Sequence, residues 1–359
     1  MKVFQKIKSL DNEEKFERKL ANKIGKDNLV TFEDDDSITV TEKIDGSNAQ
    51  VKHVGNELFV YSHKKQLDEN NTLNGFYNFV MDNKARLLDF IPNNYSFFGE
   101  WLTPHHLVYP QEAYHKWYLF DAFRFDSDNS DKGIYLGINY ISSKINSFTL
   151  INSFIFKDSE KKYSGFMGTF DGLKDVLTVP IYSYNFHASS LNQIDDIRQA
   201  LSNHSLLGAK DNEEEGIVVT NNDKIVDIDE FTKGPIRVKA VNAAFKEVIH
   251  SKKPLEAGEK SALNWANKYI TEPRVRKYIL ELMDENVIKG DLSFDMLRDG
   301  TASNIASIVY ADALSESQET PEALTPASSS YTKNVKRVRK MANKLVNKVI
   351  AVAVKTGSL

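Results

Sequence analysis

Lys43 stands in the run Glu42-Lys43-Ile44-Asp45-Gly46-Ser47-Asn48, between the β-branched stretch Ile38-Thr39-Val40-Thr41 and a second apolar-rich stretch, Ala49 to Val54. This pattern predicts a lysine at the end of one strand, with a glycine turn leading into the next. A lysine held there is a candidate covalent nucleophile. It must lose its proton to attack, and burial or a nearby cation lowers an amine pKa from about 10.4 toward neutrality. Gly46 lets the backbone approach a phosphate closely. Taken alone, Lys-x-Asp-Gly is an ordinary turn, so its meaning depends on what accompanies it.

Three further places carry usable chemistry. Glu215-Gly216 precedes the apolar Ile217-Val218-Val219, which puts a carboxylate at the entrance of a buried strand, where it can bind magnesium or orient an amine. Pro235 to Val241 alternates cation and apolar residue, and period two sets Arg237 and Lys239 on one face. Facing a cleft, this pair would bind an α-phosphate and stabilise its transition-state charge. Glu100 follows Phe98-Gly99 among apolar neighbours, where a carboxylate is costly without a partner. The chain has neither a P-loop nor a G-x-G-x-x-G loop, so a nucleotide would bind by another mechanism, which favours the covalent lysine. His105-His106 invites a metal reading, but no third ligand is apparent and neighbours on a strand point to opposite faces. A zinc site is therefore not expected, and replacing His105 is expected to change little.

Taken in order, Lys43-Ile44-Asp45-Gly46, Phe98-Gly99-Glu100, Tyr118-Leu119-Phe120-Asp121, Glu215-Gly216-Ile217-Val218-Val219 and Arg237-Val238-Lys239 resemble the covalent nucleotidyltransferase superfamily of ATP-dependent DNA ligases, RNA ligases and mRNA capping enzymes. The likeness is closest to nick-sealing (type 2) RNA ligases of bacteriophage type, and it spans about residues 38–245. The resemblance implies that Glu42 reads the adenine amine and Phe120 lies against the adenine face. It implies that Glu100 contacts the ribose or a metal, and that Asn48 helps place the RNA end. A basic residue near Ser62-His63-Lys64-Lys65 should grip the nucleotide phosphates, and Lys64 is the choice, although the family usually has arginine there. Arg237 departs from the family's usual lysine, and Asp45 from the histidine frequent in the nick-sealing type.

The elements that must position these residues follow from pattern. The first 250 residues read as mixed strands and helices, including a surface helix over 11–24 (Phe16, Leu20, Ile24), a solvated acidic loop from Glu33 to Asp36, a hairpin turned at Gly55-Asn56, and helices over Leu73 to Phe90 and Asn192 to Leu207. Near Lys252 to Gly258 the character changes. Helices are expected over Glu259–Ile270, then after a Thr271 cap with Pro273 in the first turn, then over about Ser303–Leu314. Gln318 to Ser330 reads as a linker. A last helix from Lys333 to about Val352 carries an apolar stripe of Val335, Val338, Ala342, Leu345, Val349 and Val352, with Lys336, Arg337, Arg339, Lys340, Lys344 and Lys348 over the rest. Eight Lys or Arg follow Glu322 without one acid, so the weak overall charge of −4 conceals a basic end suited to phosphates. The absence of cysteine excludes disulfides and thiolate metal sites and suits a reducing cytoplasm, that of a host cell if phage-encoded. No apolar run suggests a signal peptide or a membrane span.

The expectation is therefore an α+β chain. Residues 1–250 should form a nucleotidyltransferase (ATP-grasp-like ligase) domain of two antiparallel sheets with flanking helices. Residues 251–359 should form a small all-helical domain ending in the RNA-binding helix. The expected activity is ATP-dependent joining of RNA 5′-phosphate and 3′-hydroxyl ends by a monomer. Lys43, Glu215, Arg237 and Lys239 serve the chemistry, Glu42, Lys64, Glu100 and Phe120 bind the nucleotide, and Glu100 and Glu215 hold Mg2+ or Mn2+. The alternatives are a DNA ligase or a GTP-using capping enzyme, which usually carry a β-barrel where this chain reads as helical, and an inactive nucleic-acid-binding protein on the same fold.

Overall fold

A computed structural model of the protein describes residues 7–9, 32–33, 36–63, 65–127, 130–155, 162–187, 191–201, 204–242, 245, 259–317, 320–328, 331–357 and 359. The expected helix over 11–24, Lys64 and the Lys252 to Gly258 transition lie outside these residues. The chain falls into two compact units, Met1–Asn242 and Ala243–Leu359.

In chain order the first unit contains strands β1 (Lys8–Ser9), β2 (Ser37–Glu42), β3 (Ser47–Val54) and β4 (Glu57–Ser62), helices α1 (Phe76–Asp82) and α2 (Lys84–Phe90), then β5 (Tyr95–Trp101), β6 (Trp117–Phe125) and β7 (Gly133–Tyr135). Helix α3 (Gly137–Ser142) follows, then β8 (Ser147–Ile155), β9 (Lys162–Phe170), β10 (Leu173–Thr178), β11 (Ile181–His187), α4 (Leu191–Leu201), β12 (Gly216–Asp229) and β13 (Thr232–Val241). The β3–β4 hairpin turns at Gly55, whose φ of 63 suits a glycine.

The strands do not form two separate sheets. Among the described residues they make one hydrogen-bonded path, β1-β13-β12-β2-β11-β9-β10-β6-β5-β3-β4, with β8 on β9 and β7 pairing both β13 and β6. The pairing is not wholly antiparallel either, because β1 on β13, β10 on β6 and β7 on β13 are parallel. Alternation predicts where strands lie but not which distant strands share a ladder. Strands β9 and β10 carry the path from β11 to β6, and short β7, only three residues long, adds a second connection between β13 and β6.

Other local corrections have clear causes. Leu73 to Phe90 is two helices, because Asn83 at φ −107 serves as the end of α1 and the start of α2. The predicted Asn192 to Leu207 helix stops at Leu201, and residues 205–207 turn to face Glu42. Asp36 is not solvated: it is 7 % exposed, accepts from Asn221 Nδ2 at 2.8 Å and pairs with Lys224 at 2.9 Å.

The second unit is helical: α5 (Glu259–Tyr269), α6 (Glu272–Asp284), α7 (Thr301–Glu316) and α8 (Tyr331–Thr356). Thr271 caps α6 by accepting from Arg274 N, with Pro273 in the first turn. Trp265, Val309, Val338, Ala342, Val346 and Ile350 are at the centre of its core. The stripe on α8 drifts from the expected one: Val346 and Ile350 are buried, while Val352 is 40 % exposed. A strict heptad pattern departs from a straight helix by about 20° per seven residues, so the last predicted position rotates outward. The expected linker is also partly core, because Ala323 and Leu324 sit in a short helical turn and are buried. Among the described residues no helix is long and apolar enough to cross a membrane.

Candidate active site

Register explains the site. Thr41 on β2, Val218 on β12 and Lys239 on β13 are aligned across the sheet, as are Thr39, Thr220 and Arg237. Alternation puts these residues on one face, and the Lys43 N–Gly216 O bond of 2.8 Å carries the ladder on to the lysine. Lys43 Nζ meets Glu215 Oε2 at 2.5 Å, with both side chains largely covered (25 % and 17 % exposed). Gly216 is required here: its φ is 149, and a Cβ would lie 2.2 Å from the Ala240 carbonyl oxygen.

Glu100 enters from β5, where it is paired with Asn48 on β3 and Tyr118 on β6. Its Oε2 is buried with no hydrogen-bond partner among the described residues. Burial lifts its pKa to about 8. The nearby Lys43 charge lowers it, Glu215 raises it, and His105 and Asp45 act in the same opposed senses. Those interactions place Lys43, Glu215, Glu100, Asp45 and His105 in one electrostatic neighbourhood.

Glu42 lies on the opposite face of β2 and is 1 % exposed. Its Oε1 accepts from Ser205 Oγ at 2.7 Å, and its Oε2 from Leu206 N at 2.7 Å and Leu207 N at 3.1 Å. Three of its roughly four acceptor positions are thus used within the protein, which leaves one for an amine. Burial raises its pKa to about 7 against these bonds. Phe120 on β6 packs against the cluster of Phe98, Phe123, Phe125, Tyr135 and Ile228. Asn48 is half-buried on β3.

Arg237 shares the Lys239 face, as period two requires, but its guanidinium is paired with Asp121, whose side chain is fully buried. Asp121 also accepts from Ala122 N and Gly137 N, each at 2.7 Å. Burial lowers the Arg237 pKa to about 9, so the group stays charged at neutral pH. The long side chain reaches β6, where a carboxylate of the chain itself holds the guanidinium. Lys239, two residues on along the same face, is half-buried.

Sequence reasoning missed several residues. Asp121 appears only as part of an aromatic strand. Glu214 is 1 % exposed, accepts from Tyr182 Oη at 2.8 Å and has its pKa raised to about 8 by burial. His105 is in a loop, not on a strand, so the opposite-faces argument does not apply. Its Nε2 lies 3.2 Å from Ser47 Oγ and its Nδ1 3.8 Å from Asp45 Oδ1. No sequence spacing connects residues 45–47 with 105. The aromatic-rich run gives only a core signal.

No group of three His, Cys, Asp or Glu suited to a metal occurs among the described residues. Two carboxylates, Glu215 and Glu100 with its unbonded Oε2, have the chemistry for a magnesium ion, which keeps several waters and takes one or two carboxylates together with substrate phosphates.

Fold and site define a mixed α+β protein with a lysine–carboxylate centre in a large sheet. The chain belongs to the RNA ligase family, whose model matches residues 36–241, more than half of its length. No curated protein matches it. Among solved structures it is similar to Naegleria gruberi RNA ligase with PPi (18 % identity, TM-score 0.38, covering 68 % of this chain and 57 % of that one). A point variant of the same ligase with ATP and Mn gives 18 % identity and a TM-score of 0.37 over 67 % and 56 %. A variant with AMP and Mn gives the same values. The chain thus spans a little over half the length of these relatives.

Proposed function

We propose that the protein is an ATP-dependent RNA ligase that joins 5′-phosphate and 3′-hydroxyl RNA ends. The observation that carries this reading is the contact of Lys43 with Glu215 near Glu100, whose buried Oε2 has no hydrogen-bond partner among the described residues, in a chain of the RNA ligase family. Lys43, as the free amine, attacks the α-phosphate of ATP; the phosphoanhydride bond breaks, pyrophosphate leaves and a lysyl-AMP phosphoramidate remains. Glu215 holds the amine and accepts its proton directly or through water. AMP then passes to the RNA 5′-phosphate, and the 3′-hydroxyl attacks that activated end and releases AMP. Lys239 faces the α-phosphate and offsets the charge that develops on it. Glu100 and Glu215 would hold a magnesium or manganese ion, which would screen the repulsion among phosphates. Glu42 and Phe120 bind the adenine, Asn48 places the RNA end, and Lys64 belongs to the phosphate grip.

The helical unit supplies RNA affinity. Lys336, Arg337, Arg339, Lys340 and Lys344 are all exposed along α8, and neutralising phosphates with them releases counterions. A monomer acting in the cytoplasm, a nick-sealing preference of the phage type and a role in RNA repair complete the reading. The test is sealing of 5′-phosphorylated nicks with RNA or DNA termini in the presence of ATP. RNA on the 3′-hydroxyl side should be preferred, because the 2′-hydroxyl and A-form shape are readable without base contacts. Equal sealing of all-DNA nicks contradicts the RNA assignment.

A further inference from the structure

The loop that follows β5 folds over the Lys43 turn and makes contacts that adenylyl transfer does not by itself require. Asp45 Oδ2 accepts from Leu107 N at 2.8 Å, and Asp45 N donates to Tyr109 Oη at 3.1 Å. Between these, the His105 ring reaches both sides of Gly46. Nε2 is 3.2 Å from the Ser47 hydroxyl, and Nδ1 is 3.8 Å from the Asp45 carboxylate. The His105 side chain is 5 % exposed and Ser47 is 7 % exposed, so both groups are desolvated. At 3.8 Å the Asp45 contact is electrostatic, whereas the Ser47 contact lies at the edge of hydrogen-bond length. An imidazole with its proton on Nδ1 accepts from Ser47, and an imidazolium donates to it. Either form joins the first residue of β3 to the loop and brackets the turn that delivers Lys43 to Glu215.

We propose that His105 is a positioning residue for Lys43, acting chiefly through Ser47. The kinetic part of this inference rests on the adenylyltransferase reading above. The reasoning is geometric: Lys43 Nζ stands 2.5 Å from Glu215, and a shift of about 1 Å in a reacting group costs up to about a hundredfold. Residues 44–46 lie outside the strands, so contacts from the loop, not ladder bonds, hold the turn. The His105 contacts at 3.2 and 3.8 Å are to Ser47 and Asp45, on the two sides of Gly46, so its route to Lys43 runs through the turn.

The test is single-turnover labelling by α-labelled ATP. His105→Ala should slow lysyl-AMP formation by about tenfold or more, while the ATP concentration for half-maximal rate stays within about threefold. Ser47→Ala should slow it similarly, and the double variant should be no worse than either single one. His105→Gln, which keeps an amide near the Nε2 position, should recover most of the rate; His105→Asn, which points toward Asp45, should not. A wild-type rate for His105→Ala, additive losses, or no recovery with glutamine overturns the proposal. If His105→Ala does not fold, the order of glutamine and asparagine carries the test, and asparagine at or above glutamine overturns it. Amide hydrogen exchange over residues 43–48 needs no nucleotide. It should quicken in His105→Asn and remain near wild type in His105→Gln. If wild type takes no label but this exchange difference holds, the adenylylation reading falls and the clamp stands. If wild type labels and exchange is the same in all variants, the clamp falls.

Discussion

The two units handle charge in opposite ways. The first buries it: Asp36, Glu42, Asp121 and Glu214 are all at most 7 % exposed, and Arg237 and Glu100 are desolvated beside them. The second keeps its cations on the outside of α8 and gives the inside to Val338, Ala342, Val346 and Ile350. Its main buried charge is Arg274, held by Asp312 and by Glu316 at 2.5 Å. A site that moves charge between phosphates needs preorganised groups out of water, whereas a surface that collects a polyanion needs exposed, salt-sensitive ones. The difference predicts that perturbing one unit leaves the other's activity measurable.

The largest effects should come from the first unit. Glu215→Ala and Lys239→Ala should each slow adenylyl transfer by at least about a hundredfold, the scale for removing a preorganised charge. Quench-flow labelling measures this, and near-normal rates would remove either residue from the chemistry. Asp121→Ala should cost about 3–5 kcal/mol in urea unfolding, because it leaves the Arg237 charge buried without its carboxylate. A loss below about 1 kcal/mol would mean that the pair is not formed in solution.

In the second unit, Ile350→Ala should cost about 2–5 kcal/mol through the cavity it leaves. Lysyl-AMP formation should survive in this variant. The central residues of α8 are core, so deleting residues 331–359 would unfold the helical unit as well as remove its charge. Replacing exposed Lys336, Arg337, Lys340 and Lys344 by glutamine is the sharper experiment. RNA affinity should then fall with salt along a slope lower by up to about 4, roughly one for each phosphate no longer neutralised. An unchanged slope in a titration of RNA binding against salt would separate α8 from RNA.

The smallest effect is a dependence of stability on pH. Burial raises Glu42 to about 7 and Glu214 to about 8, from about 4.5 in the unfolded chain. The folded state therefore holds more protons than the unfolded state between these values. The contribution to stability is full below about pH 4.5 and is lost as pH rises through 7–8. Glu214→Gln should flatten that decline by on the order of 2 kcal/mol between about pH 5 and 8. Parallel declines in wild type and variant would show that Glu214 does not carry it.

The sequence makes individual strands and helices legible where a period reports burial, as for the Gly55 hairpin, the Thr271 cap and the common face of Arg237 and Lys239. It also makes the lysine and its partner carboxylate visible, because each sits at a strand end close to a glycine, Gly46 three residues after Lys43 and Gly216 directly after Glu215. It cannot show that β7 joins β13 to β6, since that pairing lies in tertiary packing. Nor can it show that Arg237 pairs with Asp121 or that His105 reaches Ser47, because those contacts cross 116 and 58 residues. The acidic loop reads as solvated for the same reason: Asp36 is buried by Asn221 and Lys224, far along the chain.

The central claim is that Lys43 becomes covalently attached to AMP. Incubation with α-labelled ATP and magnesium, followed by denaturing electrophoresis, tests it directly. Label should remain on the wild-type protein and vanish in Lys43→Ala. Lys43→Arg should not restore it, because a guanidinium stays protonated. Undiminished labelling of Lys43→Ala would contradict the account.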